Sequence, residues 1–188
     1  MNYAPFVGNF IFSELSKRGY QIIELNNISV LDLSRAGFGA VSMQDDCSIR
    51  PVDALHLEEW ATCVATGFEY EEAAEQFFLY AKAGGVAPFG AYIHNKLVAG
   101  GTIAIHNGIC DLGITSTLQA WRNRGLQKGL LLARIEYAIQ AGASIASVTT
   151  APGSISDLNI QKMGFQIAYA RIKLGSTFLK ETWQKNPQ

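Results

Sequence analysis

The clearest pattern lies mid-chain, where "FGAYIHNKLVAGGTIAIHNGICDLGITST" falls into three short β-rich runs, about Phe89–His94, Leu97–His106 and Ile109–Thr117. Asn95-Lys96 and Asn107-Gly108 separate them. Asn-Gly is the strongest two-residue hairpin signal, because a type I′ turn needs positive φ at both places. The runs therefore predict an antiparallel meander. From Leu126 the period changes: Leu126, Leu130, Leu131, Ile135, Ala138 and Ile139 recur at helical spacing, with Gly142 placed to end the helix as its C′ residue. "ASIASVTT", Ala143–Thr150, reads as a short buried strand. Strand, helix and strand in that order make a right-handed crossover with parallel neighbours.

The pattern breaks at Pro152-Gly153, restarts with the capping-box spacing Ser154-x-x-Asp157, and stops at Gly164 before a closing strand, "FQIAYARIKL". Upstream, Asp53 to about Gly67 and Tyr70 to Ala83 read as two helices. Trp60, Phe68, Phe77 and Phe78 supply core aromatics there, with acceptor-pocket walls as the other reading of Trp60, Phe77 and Phe78. "SIRPV", Ser48–Val52, is the first strand. The order β-α-α-β-β-β-α-β-α-β predicts an α/β (α+β) domain with a mixed central sheet over residues 48–174. Residues 1–47 form an N-terminal extension and 175–188 a polar, peripheral tail. "KRGYQI" (Lys17–Ile22) matches "KMGFQI" (Lys162–Ile167), each between a helix-like and a strand-like run. Residues 1–33 thus read as a shortened second copy of the last helix and strand. The alternative is that Gly-aromatic marks any helix stop before a strand.

The 188 residues suffice for one well-buried domain, and 48% hydrophobic against 16% charged residues excludes a disordered chain. A net charge of −1 and a pI near 6.3 argue against nucleic acid as a partner. Cys47, Cys63 and Cys110, like His56, His94 and His106, show no ligand or disulfide spacing, so reduced thiols and no metal are expected. "MNYAPFVGNFIF" lacks the features of a secretory signal, and no apolar run approaches the roughly 18 residues that span a bilayer. The expectation is a soluble cytoplasmic protein without a membrane partner.

Arg122-Asn123-Arg124-Gly125 stands at the start of the most apolar helix. Helix starts favour acidic residues, because their N–H groups are unpaired and the dipole is positive there. Basic residues fit that end when an anion sits on the amides. Neither the Walker A spacing nor Gly-x-Gly-x-x-Gly is present. What remains is a pyrophosphate cradle. Gly125 permits close approach, the amides from about Arg124 to Lys128 point outward, and Arg122, Arg124 and Lys128 supply counter-charge. The alternative is a solvated arginine pair.

"RNRGLQ" (Arg122–Gln127) resembles the Gln/Arg-x-x-Gly-x-Gly/Ala signature of the GNAT superfamily of acyl-CoA-dependent N-acyltransferases, departing from it at Gln127. "TSTLQAW" stands where that family has a bulged strand end, and "SDLNIQKMGF" resembles its second motif, an Asn-containing helix leading to Gly-Phe. The resemblance spans roughly Ser48 to Leu174. It implies a GNAT-type sheet whose strands splay between the one ending at Thr117 and the one starting near Ala143, with the pantetheine arm between them. It further implies acetyl-CoA as acyl donor, bound by Thr117, Leu118, Arg122, Arg124, Gly125, Leu126, Gln127, Lys128 and Asn159. The Leu118 N–H is then the expected oxyanion donor, and an amine attacks the thioester directly in a ternary complex.

Proton transfer is less well marked. Asp111 is the only acidic residue on the strand leading to the bulge and by period-2 alternation shares a face with Thr115 and Thr117. It also reads as a solvated residue near a turn. Ile160 stands where the family often has a tyrosine acid, leaving Tyr169 as the substitute. The expected acceptor is a primary amine on a small molecule, an aminoglycoside among the options, entering against residues 53–83. A homodimer is kept open. The rival reading is a non-catalytic acyl-CoA-binding or assembly module.

Overall fold

The computed structural model describes residues 2–3, 8, 10–34 and 46–176, so from residue 177 on the expected tail lies outside the described residues. In chain order the strands are β1 (Asn2–Tyr3), β2 (Tyr20–Asp32), β3 (Cys47–Pro51), β4 (Val86–Ile93), β5 (Lys96–His106), β6 (Ile109–Thr117), β7 (Ile145–Thr150) and β8 (Gln166–Ser176). The α-helices are α1 (Phe10–Lys17), α2 (Leu57–Gly67), α3 (Ala74–Lys82), α4 (Leu126–Gln140) and α5 (Ile155–Lys162). The fold is α/β with a mixed sheet, as expected from the element order. Two compact units divide it: Leu31–Val148, and Met1–Val30 with Thr149–Gln188. No described helix is long and apolar enough to cross a membrane.

In the larger unit β3, β4, β5 and β6 pair antiparallel in sequence order, and β7 adds parallel to β6. Asn107 and Gly108 both take positive φ, as the Asn-Gly signal required. The preceding hairpin turns on His94 and Asn95, one residue earlier than Asn95-Lys96, since those two hold the positive φ values. The two helical runs upstream each open with a 3₁₀ turn, Ala54–His56 and Glu71–Ala73. The first is capped by the Asp53 carboxylate.

Successive strand residues point to opposite faces, and β5 shows which helix covers which. A Cβ on Gly100 would lie 2.5 Å from Trp60 Nε1 of α2, while one on Gly101 would lie 2.8 Å from Arg134 Nη1 of α4. Helices α2 and α4 therefore cover opposite faces. On the α2 face Val52, Leu57, Trp60, Ala61, Val64, Tyr92 and Leu97 form the core, with Phe77 and Phe78 packed half-buried against it. The Trp60 indole N–H donates to Phe89 O at 2.9 Å, satisfying the polar atom that burial would otherwise orphan. On the other face α4 buries Leu126, Leu130, Leu131, Ile135 and Ala138, whereas Ile139 is exposed. Gly142 closes α4 at φ 81, with Ala143 N–H bonded to Ala138 O and Gly142 N–H to Ile139 O.

In the smaller unit β8 pairs antiparallel with both β1 and β2. "KRGYQI" and "KMGFQI" occupy equivalent places. Each follows an eight-residue helix ending in lysine, turns on a positive-φ glycine (Gly19, Gly164) and enters a strand. The register places Asn26 opposite Arg171, its counterpart when Lys17 is laid on Lys162, so the two arms meet about a local two-fold. Ser154 caps α5 by accepting from Asp157 N–H at 3.1 Å. The Asp157 carboxylate is buried and accepts from Thr150 Oγ1 (2.7 Å), Gly153 N–H (3.0 Å), Gln161 Nε2 (3.1 Å) and Asn27 Nδ2 (3.3 Å). Burial pushes its pKa up, but the hydrogen bonds from Thr150, Gly153, Asn27 and Gln161 outweigh this and hold it below the ordinary value. It is an anchor joining helix, strand end and N-terminal arm.

Candidate functional site

The start of α4 is built to leave its positive end open. Gly125 is the N-cap at φ 77, no side chain caps the helix, and the first turn carries no acidic residue. The first intrahelical bond runs from Gly129 N–H to Gly125 O at 2.9 Å, so the cap side holds the amides that precede it. A Cβ on Gly125 would meet nothing within 4 Å, so the approach to this backbone is clear. Asn123 also takes positive φ, giving a tight turn between the 3₁₀ turn Gln119–Trp121 and α4. Arg124 lies over the Trp121 ring at 4.7 Å, Arg124 and Lys128 are exposed, Gln127 is half-buried and Leu126 is core. Among the described residues this helix start fits a diphosphate: no side chain caps it, its first turn has no acidic residue, and Arg124 and Lys128 are exposed beside it.

Arg122 is used differently. Its Nη2 donates to Gly67 O at 2.9 Å and pairs with Glu69 Oε1 at 3.2 Å, while its Nε donates to Thr117 O at 3.3 Å. It clamps the end of β6 to the C-terminal turn of α2. That turn is close-packed: a Cβ on Gly67 would sit 2.6 Å from Ser116 Oγ and 3.1 Å from Thr117 N. Glu69 holds φ 59 at the helix C′ position, where glycine is usual, so the clamp includes a strained residue.

β6 and β7 pair only from Ile109/Ile145 to Asp111/Ser147, and β6 runs on alone to Thr117 on that side. Between these points β6 bulges. Gly101 lies opposite Thr115 and Thr102 opposite Gly113, leaving Ile114, at φ 26, as the extra residue. The bulge reverses the alternation. A Cβ on Gly113 would face Thr102 Oγ1 and Tyr80 OH on the α2–α3 side, whereas the Thr115 hydroxyl meets Arg134 on the α4 side.

Two expectations change in consequence. Asp111, opposite Ala104, falls on the α2 face with Gly113 and not with Thr115 and Thr117, because the extra residue shifts the parity. It accepts from Ser147 Oγ at 2.8 Å where β6 and β7 still pair, about 20 Å of strand before Thr117. The Leu118 N–H donates to Val98 O at 3.0 Å, so it is committed to β5. In an antiparallel ladder the next residue points the other way, which turns the Thr117 N–H away from β5 toward the side where β7 has parted. The Thr117 carbonyl confirms that direction by accepting from Arg122.

The larger unit thus gathers Thr117, Leu118, Arg122, Arg124, Gly125, Leu126, Gln127 and Lys128 around one strand end and one helix start. Asn159, exposed on α5, and Tyr169, half-buried on β8 opposite Ile28, belong to the smaller unit. Sequence reasoning missed Arg134, which burial pushes down to a pKa of about 10, leaving it charged at neutral pH. The signal was present: Leu130, Arg134 and Ala138 are four apart and share the apolar stripe of α4. Nothing local marked Glu69.

No family model and no curated protein matches this sequence. Among solved structures, a GCN5-related N-acetyltransferase from Sphaerobacter thermophilus superposes with a TM-score of 0.72 at 12% identity, covering 91% of this chain and 57% of that one. A GCN5-related N-acetyltransferase from Kribbella flavida gives 0.64 at 17%, covering 94% and 67%. The aminoglycoside N-acetyltransferase AAC(6')-Iy, in complex with the bisubstrate analog CoA-S-monomethyl-acetylneamine, gives 0.54 at 22%, covering 64% of this chain and 90% of that one. The chain spans about two thirds or less of the first two proteins. Its structural neighbours across most of its length are GNAT N-acetyltransferases, and the fold is theirs.

Proposed function

We propose that this chain, carrying the GNAT fold, is an N-acyltransferase that moves an acetyl group from acetyl-CoA to a primary amine on a small molecule. The observation that carries the reading is a pairing of two features. The N-terminus of α4, with no side-chain cap at Gly125 and no acidic residue in its first turn, lies near a strand end that turns the Thr117 N–H toward the side that β7 has left. Acetyl-CoA supplies the activated thioester. The amides at the start of α4, with Arg124 and Lys128, hold its diphosphate. The Thr117 N–H polarises the carbonyl and stabilises the developing oxyanion, replacing the Leu118 N–H in that role. The amine attacks directly, so no protein nucleophile is needed. The α2 turn beside Thr117 presents Phe68, Glu69 and Tyr70 to solvent, aromatic and acidic surface suited to a cationic acceptor. Asn159 and Tyr169 belong to the smaller unit, and their expected roles rest on the family resemblance alone. The placement of Asp111 no longer supports a catalytic role.

The test is calorimetric titration of acetyl-CoA into wild type, Gly125→Glu and Gly125→Gln. Both substitutions carry the same backbone strain, but only the first puts a carboxylate where the diphosphate sits. Binding by wild type, weaker binding by the Gln variant and near-complete loss in the Glu variant are expected. Equal binding by all three would refute the cradle. One observation favours a second reading, a non-catalytic acyl-CoA-binding module: Ile160, where a tyrosine acid is usual, is a buried apolar residue. Turnover with a panel of amines separates the two. Three free thiols suit a reducing compartment such as the cytoplasm. The local two-fold between β2 and β8 supports reading residues 1–33 as a shortened repeat ahead of a domain over 48–174.

A further inference from the structure

We propose that Arg134 is a positioning residue for acyl transfer: it locks the bulge at Ile114 and so fixes which backbone N–H the end of β6 presents. The inference rests on the acetyl-CoA reading above. Arg134 is 1% exposed, and among the described residues no carboxylate pairs with it. Its Nε donates to Leu130 O at 2.9 Å, which orients the guanidinium within its own helix. Nη1 donates to Thr102 O at 2.8 Å and to Gly113 O at 3.0 Å, and Nη2 to Thr115 Oγ1 at 2.9 Å. The partners lie on both strands, and on β6 they bracket Ile114 from either side.

Stability alone is a poor reason for this arrangement. A buried cation without an anion is costly, and an apolar side chain of similar length would fill the same space. Room has also been made for it, since a Cβ on Gly101 would lie 2.8 Å from Nη1 and 2.9 Å from Cζ. What the guanidinium specifies is parity. Without the extra residue the ladder beyond Gly113 would slip by one, turning the Thr117 N–H toward β5 and the Leu118 N–H away from it. Five planar donors on a rigid fork can span three acceptors around a bulge, which neither lysine nor an apolar residue can do.

The experiment compares wild type, Arg134→Met and Thr115→Val using acetyl-CoA labelled with ¹³C at the thioester carbonyl. Calorimetry reads binding, and difference infrared spectroscopy reads the carbonyl band of the bound thioester. In wild type the band is expected to fall in frequency on binding. Both variants are expected to bind within about threefold of wild type, because the cradle at α4 is untouched, while the band moves back toward its position in solution. A full wild-type shift in both folded variants would overturn the inference and leave the acetyl-CoA reading standing. Wild type that does not bind acetyl-CoA would overturn both. Thermal melting checks folding. Should Arg134→Met not fold, Thr115→Val decides alone, since it removes one acceptor without exposing a charge.

Discussion

Gly67→Ala sets helix propensity against packing at the point where α2 meets the end of β6. Gly67 is the last residue of α2, and alanine in a helix is favoured over glycine by about 1 kcal/mol. Packing opposes this. The new methyl would lie 2.6 Å from Ser116 Oγ, 2.9 Å from Ser116 Cβ and 3.1 Å from Thr117 N. Carbon atoms rest about 3.5–4 Å apart, so the helix end or the strand end must retreat by roughly half an ångström or more. Overpacking of this kind costs about 1–3 kcal/mol. Displacing Ser116 also endangers its 2.9 Å bond to Val64 O, a further loss of about 0.5–1.5 kcal/mol. The net expectation is destabilisation by about 1–3 kcal/mol. Urea denaturation measures it, with Gly84→Ala as the comparison. No atom lies within 4 Å of a Cβ there and its φ is ordinary, so a change under about 0.5 kcal/mol is expected. If the proposed function holds, acyl transfer in Gly67→Ala falls further than acetyl-CoA affinity, because Thr117 moves with Ser116. A Gly67→Ala protein as stable as Gly84→Ala would refute the close packing of α2 on Thr117 and the clamp built on it.

Asp157→Asn keeps the shape of the anchor but sets an amide donor against donors, with an expected loss of about 1–3 kcal/mol at pH 7. The depressed folded pKa of Asp157 means its contribution is present above the unfolded value of about 3.8 and is lost as pH falls through the lower folded value. The variant should therefore lose less stability than wild type between neutral and strongly acidic pH, and parallel denaturation curves at the two extremes would contradict this. Glu69→Gly relieves the left-handed strain at φ 59, about 1 kcal/mol, and gives up an exposed pair with Arg122 contributing about 0–1 kcal/mol. Denaturation should show stability unchanged or raised by up to about 1 kcal/mol, and a clear loss would show that the clamp carries more than a surface pair does.

What the sequence determined by itself was local. Asn107-Gly108, Gly142 and Gly164 needed positive φ and took it, and the helical spacing of Leu126 to Ala138 placed the buried side of α4 correctly. Gly125, expected at the helix start, is the N-cap of α4 and holds positive φ. Each of these is a property of a few consecutive residues, set by backbone sterics and side-chain periodicity. Tertiary structure decided the rest. The parity of β6 depended on one extra residue at Ile114, which put Asp111 on the other face from Thr115 and Thr117 and left the Leu118 N–H paired with β5. Arg122 found Glu69, Arg134 found Gly113 and Thr115, and Asp157 found Asn27, across 21 to 130 positions apart from the closest pair, Arg134 and Thr115. Period-2 counting carries no information about a bulge, and a charged side chain does not announce a distant carbonyl. Only the folded sheet brings such acceptors within hydrogen-bonding reach.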